Sequence, residues 1–149
     1  MARGFTCGAF DLLHPGHLYL FEFAKRHCDY LIVGLHTNPQ RDRREKNMPV
    51  QTTFERWKQL SAVKYIDEII PYDTEDDLKN LFATVDIRVR FLGTDYVGRK
   101  YYTAKELCQQ LNMATIYVPR HHSFSSSSIR TRLLEAASCT VPSSSTVME

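Results

Sequence analysis

The sequence predicts a doubly wound α/β domain, a five-stranded parallel sheet with helices on both faces. Three observations predict it. Short apolar runs alternate with stretches of helical period from about Phe5 to Leu134. The run Tyr30–Leu35 is apolar throughout, as expected of a central parallel strand covered on both sides. Helix-start signals recur between the runs. A length of 149 residues suits one domain, here 1–136, with 137–149 read as a disordered tail because SCTVPSSSTVME is serine-rich and aperiodic.

Phe5–Cys7 opens a first strand that breaks at Gly8. Pro15 suits the first position of a helix reaching about Cys28, with Leu18, Leu20, Phe21, Phe23 and Ala24 at helical spacing. Strand Tyr30–Leu35 is followed by a basic loop, Pro39 to Pro49, that holds Arg41, Arg43, Arg44 and Lys46. Thr52 with Glu55 forms a capping box, and Phe54, Trp57, Leu60 and Ala62 are the predicted inner side of the helix it starts. A third strand spans Ile66–Ile70, stopped by Pro71; Thr74 with Asp77 starts a helix from Glu75 to about Ala83. A fourth strand, Val89–Leu92, ends at Gly93, and Thr103 with Glu106 is expected to cap a helix through Leu111. The fifth strand, Ala114–Val118, ends at Pro119, and a last helix starts within Ser125–Ser128.

Composition excludes several classes. Hydrophobic content of 43% and charged content of 24% exclude wholesale disorder. A formal charge of +2 is too mild for nucleic acid as an obligate partner. The apolar runs are far shorter than the roughly 20 residues of a membrane span, so no membrane insertion is expected. The start, MARGFTCGAF, carries no leader pattern, and Cys7, Cys28, Cys108 and Cys139 form no C-x-x-C pair. The thiols are expected to be reduced and the protein cytoplasmic.

Sheets of this kind bind ligands beyond the carboxyl ends of their strands, where strand order reverses. The unusual residues fall there. After the first strand, His14 takes a cap position, Pro15 the first turn, and His17 follows within that turn. Two imidazoles beside the free N–H groups and positive dipole of a helix start suit an anion, and suit the charge that builds on a phosphorus under attack. Gly16 between them lets a phosphate approach the backbone. A metal site would need a third ligand, which the spacing does not supply.

The segment G-A-F-D-L-L-H-P-G-H resembles the G-T-F-D-x-x-H-x-G-H signature of the cytidylyltransferase-like nucleotidyltransferases. Within that family it most resembles glycerol-3-phosphate cytidylyltransferases and their phosphocholine and phosphoethanolamine relatives. Lys64 to Ile70 is similar to the family's R-Y-V-D-E-V-I, Gly93 to Tyr96 to its G-D-D-W, and Pro119 to Ile129 to its P-R-T-E-G-I-S-T-T-K-I. The resemblance implies a Rossmann-like fold of the HxGH type and a homodimer. It also implies transfer of CMP from CTP to a small phosphomonoester, best matched by glycerol 3-phosphate, with release of pyrophosphate. It implies catalytic roles for His14, His17, Lys46 and Arg120, the lysine after a one-residue shift in the basic loop. Nucleotide contacts are implied for Ala9, Phe10, Gly16, Asp95, Ser125, Ser126 and Ser127, and acceptor contacts for Asp11, Arg56 and Lys64. Asp11 has a second reading, as a brace of the turn. Mg²⁺ is expected to arrive with the nucleotide rather than in a protein cage. A phosphomonoester is mostly dianionic at pH 7, so the attack needs no general base.

The sequence departs from the family pattern at several points. Ala9 replaces a threonine, Lys64 an arginine, and Thr94 and Tyr96 alter the base-reading motif. His121 and His122 replace Thr and Glu. The family's acceptor-contacting lysine falls near Leu78, and the neighbouring Lys79 need not face the same way on a helix. Two other readings use the same residues: an adenylyltransferase acting on ATP, and a nucleotide-binding sensor without turnover.

Overall fold

Alternation along β1 (Arg3–Gly8) sends Phe5 and Cys7 to one face of the sheet. The apolar run of β2 (Tyr30–His36) is buried on both sides, with Ile32 on that face and Leu31, Val33 and Leu35 on the other. With β3 (Glu68–Tyr72), β4 (Val89–Gly93) and β5 (Ala114–Val118) these strands form a parallel sheet of order β3-β2-β1-β4-β5. The chain builds outward from β1 on one side and then returns to build the other. Strand order therefore reverses between β1 and β4, as the doubly wound expectation requires. These features come from a computed structural model that describes residues 1–139.

Two helices cover each face. Phe21 and Ala24 of α1 (Pro15–Arg26) and Leu60 of α2 (Thr53–Ser61) pack on Leu31, Val33 and Phe91. Leu78, Leu81 and Phe82 of α3 (Glu75–Thr84) and Cys108 of α4 (Lys105–Gln110) pack on Phe5 and Ile32. The last helix, α5 (Ser126–Cys139), contributes no fully buried residue. It continues through Cys139, past the expected boundary at 136, because nothing in Ala136 to Cys139 interrupts a helix; the rest of the expected tail lies outside the described residues. No helix among the described residues is long and apolar enough to cross a membrane, and the four cysteines are free thiols.

The capping boxes Thr52/Glu55 and Thr74/Asp77 form as predicted. Three expectations are corrected. Phe54 and Trp57 are 67% and 39% exposed and Ala62 is exposed; α2 instead turns Arg56 and Leu60, one helical turn apart, inward. Pro71 lies inside β3 rather than stopping it, because β3 is an edge strand and a missing N–H there can face away from the ladder. Thr103 does not cap α4, which starts after Ala104 in the left-handed region at φ 63°. The Thr103 hydroxyl donates instead to Glu75 Oε1 at 2.8 Å, tying α3 to the approach to α4.

Candidate active site

A cavity of about 540 Å³ opens at the reversal point, beyond the ends of β1 and β4. Its near wall is the turn after β1, where Phe10 and Leu12 are held in the left-handed region at φ 50° and 52°. Such conformations are costly for residues with side chains and persist only where surrounding bonds over-determine them. Asp11, between the two, supplies those bonds. Its carboxylate accepts from Val50 N at 2.8 Å, Gln51 N at 2.9 Å and Arg130 Nη2 at 2.6 Å. Burial pushes the Asp11 carboxyl up, but the two backbone donors and Arg130 outweigh it and hold the group below its ordinary range. Asp11 lines the cavity, and three protein donors engage its carboxylate, which fits the reading of it as a brace of the turn.

His14 is the N-cap of α1, with Pro15 in the first turn. Its Nδ1 accepts from Gly16 N at 3.0 Å, so in the neutral ring the proton sits on Nε2. The His17 ring stacks on it at 3.8 Å between centroids, and Phe10 meets His17 edge-on at 5.4 Å. Burial first, then the neighbouring His14 and Arg120, push the His17 imidazole down to about 3. Burial, His122 and Arg120 lower His14 as well. Both rings are therefore neutral at pH 7 while no anion is bound. His17 Nδ1 is buried without a hydrogen-bond partner.

Other sequence-predicted residues converge on the same cavity. Ala9, Phe10, Gly16, Lys46, Asp95, Arg120, Ser125 and Ser126 all line it. Lys46 belongs to the loop after β2, and Arg120 follows β5. Asp95 sits in a single 3₁₀ turn, Thr94–Tyr96, with Arg99 Nη2 3.7 Å from its carboxylate. Ser125 Oγ accepts from Ser128 N at 3.0 Å and so caps α5; Ser126 Oγ donates to the Asp11 carbonyl at 2.7 Å. The start of α5 is thereby pinned to the β1 turn at the edge of the cavity.

Three expected site residues are elsewhere. Arg56 is 1% exposed and spends its donors on protein oxygens: Gln51, Ala9, His36 and Thr37 carbonyls and the Thr53 hydroxyl, at 2.7 to 3.3 Å. It clamps the loops after β1 and β2 to α2 and has nothing left for a ligand. Lys64 is exposed, 5.2 Å over the Tyr65 ring, in the connection that precedes β3 and so at the opposite end of the sheet. Ser127 is exposed and does not line the cavity. Lys79 likewise points away, 4.0 Å from Asp76, while Leu78 lines the wall.

Sequence reasoning missed four contributors. His122 presses on the signature: a Cβ on Gly16 would lie 2.7 Å from both its Cε1 and that of His14. The paired histidines after Arg120 were the signal for it. Arg130 makes the ion pair with Asp11 described above. Arg43 donates to Glu75 at 2.9 Å and closes a network with Thr103. Arg90 lines the floor although it lies mid-strand, where sequence alone gave no reason to single it out.

The chain is similar to several known proteins. The chain is 32% identical over 131 residues to the glycerol-3-phosphate cytidylyltransferase of Bacillus subtilis, covering 87% of this chain and 95% of that one. It is 40% identical over 94 residues to the bifunctional protein HldE of Caulobacter sp. strain K31, covering 62% of this chain. The chain spans only about a fifth of the HldE proteins it matches, 19% in that case. Among solved structures, the lipopolysaccharide core biosynthesis protein of Thermoplasma volcanium superposes with TM-score 0.64 at 24% identity, over 83% of this chain and 99% of that one. The pantothenate synthetase of Thermus thermophilus also reaches 0.64, at 16% identity, over 90% and 64%. Both share the fold. The cytidylyltransferase-like family model matches residues 5–146, which takes in the whole cavity wall and all of the sheet except the first two residues of β1, and the chain belongs to that family of nucleotidyltransferases.

Proposed function

We propose that this enzyme transfers CMP from CTP to a small phosphomonoester, glycerol 3-phosphate being the best match, and releases pyrophosphate. The observation that carries the reading is the stacked His14–His17 pair at the start of α1, in one cavity with Arg120, Lys46 and the start of α5. The likeness to the Bacillus subtilis enzyme, which extends over most of both chains, supports the base and the acceptor.

An oxygen of the acceptor phosphate attacks the α-phosphorus of CTP. The P–O bond to the β-phosphate breaks opposite it, and pyrophosphate leaves with the electron pair. No proton must be removed first, because the attacking group is already an anion. His14 offers Nε2–H to the cavity, and His17 becomes a donor there when phosphate charge draws a proton onto it. Arg120 and Lys46 offset charge on the departing pyrophosphate, as do the first N–H groups of α5. Asp95 accepts from the exocyclic amine of the base. Mg²⁺ bound with the nucleotide would neutralise charge on its phosphates. Of the cavity carboxylates, Asp11 and Glu75 accept from protein donors and Asp95 lies 3.7 Å from Arg99. A cytoplasmic setting and a homodimer belong to the same proposal.

The test is pyrophosphate release with CTP or ATP against glycerol 3-phosphate, phosphocholine and phosphoethanolamine. Release with CTP and one acceptor supports the proposal, and release with ATP alone replaces the base. In His17→Ala, turnover is expected to fall by about 10²-fold or more with CTP binding retained, the size of losing one transition-state donor. Retained binding of CTP with no turnover by wild type would favour a sensor.

A further inference from the structure

We propose that Arg90 selects the acceptor: from the floor of the cavity it donates to an oxygen at the end of the acceptor remote from its phosphate, and it excludes acceptors that carry a cation there. This rests on the transfer reading above and deepens it.

Arg90 lies on β4 and points toward the face covered by α3 and α4, where it is 3% exposed. Its guanidinium is flanked by Phe82 and Tyr102, 5.0 and 5.3 Å from the ring centroids. Nη1 donates to the Thr103 carbonyl at 2.6 Å and toward Cys108 Sγ at 3.7 Å, while Nε is buried with no partner. No carboxylate pairs with it among the described residues; Glu75, on the same wall, is taken by Arg43 and the Thr103 hydroxyl. A buried guanidinium held by aromatic faces and one carbonyl is under-satisfied for a group with five donors. An oxygen acceptor from a ligand completes it.

Position says which part of the ligand that is. The histidines enter the cavity from α1, on one side of the sheet, and Arg90 enters from the α3/α4 side. A phosphomonoester with its phosphate at His14 and His17 therefore turns its other end toward Arg90. The charges there are Arg43 and Arg90 against Glu75, a surplus of one positive charge. An ammonium group would add a second unpaired cation, whereas a hydroxyl or carboxylate oxygen matches the planar fork.

The experiment is calorimetric titration of the CTP-free protein with glycerol 3-phosphate, 3-phosphoglycerate and phosphocholine, followed by the same titrations of Arg90→Met and Arg90→Lys, with CTP affinity and melting temperature as controls. In the wild type both oxygen-terminated probes are expected to bind about tenfold or more tighter than phosphocholine. The tighter of the two identifies the oxygen as hydroxyl or carboxylate. Arg90→Met is expected to erase the preference with CTP affinity kept, and Arg90→Lys, which keeps charge and loses the fork, to recover part of it. A purely structural Arg90 would lower the melting temperature and leave the preference intact. Phosphocholine binding as tightly as the others, no binding by any probe, or an unchanged preference in Arg90→Met overturns the proposal. If Arg90→Met does not fold, the wild-type order and Arg90→Lys decide it. Pyrophosphate release is read separately. A wild type that binds in the expected order yet releases none keeps Arg90 and loses the transfer reading; turnover of phosphocholine alone does the reverse.

Discussion

Arg130 of α5 donates to Asp11 Oδ2 at 2.6 Å, joining the turn after β1 to the last helix across 119 residues of chain. The same carboxylate holds Val50 and Gln51, so one side chain sets the relative positions of three segments that border the cavity. Asp11→Ala leaves a partly buried arginine and two backbone donors unpaired and is expected to cost about 3 kcal/mol, read from urea unfolding. The pH dependence follows from the lowered carboxyl. The stabilisation is full above the ordinary value of 3.8 and is lost as pH falls through the lower folded-state value, a decline that Asp11→Ala should abolish.

His17 has the opposite chemistry and the same sign. Its folded-state value of about 3 lies below the ordinary 6.5, so the unfolded chain binds the proton first as pH falls. The contribution of His17 is full above pH 6.5 and shrinks between there and about pH 3. Urea midpoints at pH 4.5 and 7 should differ less in His17→Gln than in wild type. Triphosphate raises the imidazole's proton affinity, so CTP binding at pH 6.5 should take up protons. Calorimetry in buffers of different ionisation enthalpy checks this.

Gly16→Ala is expected to separate stability from turnover. The position is helical, so alanine strains no backbone there, but its Cβ would meet the His14 and His122 rings at 2.7 Å. Displacing a catalytic ring by about 1 Å can cost on the order of 10²-fold in rate. Melting temperature should change little and pyrophosphate release should fall at least about tenfold.

The two basic residues that fell outside the cavity should behave as the structure places them. Arg56→Lys keeps the charge and loses most of the bonds to the β1 and β2 loops; the expected loss is about 3 kcal/mol, measured by denaturant. Lys64→Ala should leave both stability and the KM of either substrate near wild type. Lys46→Ala, at the cavity, should instead raise the KM for the nucleotide, with steady-state kinetics as the check.

Local signals were legible because they depend on neighbours in sequence. The capping boxes Thr52/Glu55 and Thr74/Asp77 need only three residues' separation, and the cap at His14 with Pro15 behind it needs one. The apolar run of β2 marked a strand covered on both faces, and the five alternations implied the parallel sheet. The same local logic failed at Thr103. Its cap signal lost to Glu75, a residue 28 positions away that offers a carboxylate in place of an exposed N–H.

By itself, then, the sequence determined the order of strands and helices, the doubly wound class and the His14–Gly16–His17 start of α1, since periodicity, caps and proline geometry are properties of short segments. Only the tertiary structure decided what the charged residues do. An arginine reads the same in sequence whether it clamps loops, as Arg56 does, pairs with a buried carboxylate, as Arg130 does, or waits half-satisfied between two rings, as Arg90 does. The difference lies in which long-range partners fill its donors. Those partners meet only where the strand order reverses and the loops after β1, β2, β4 and β5 close on one cavity.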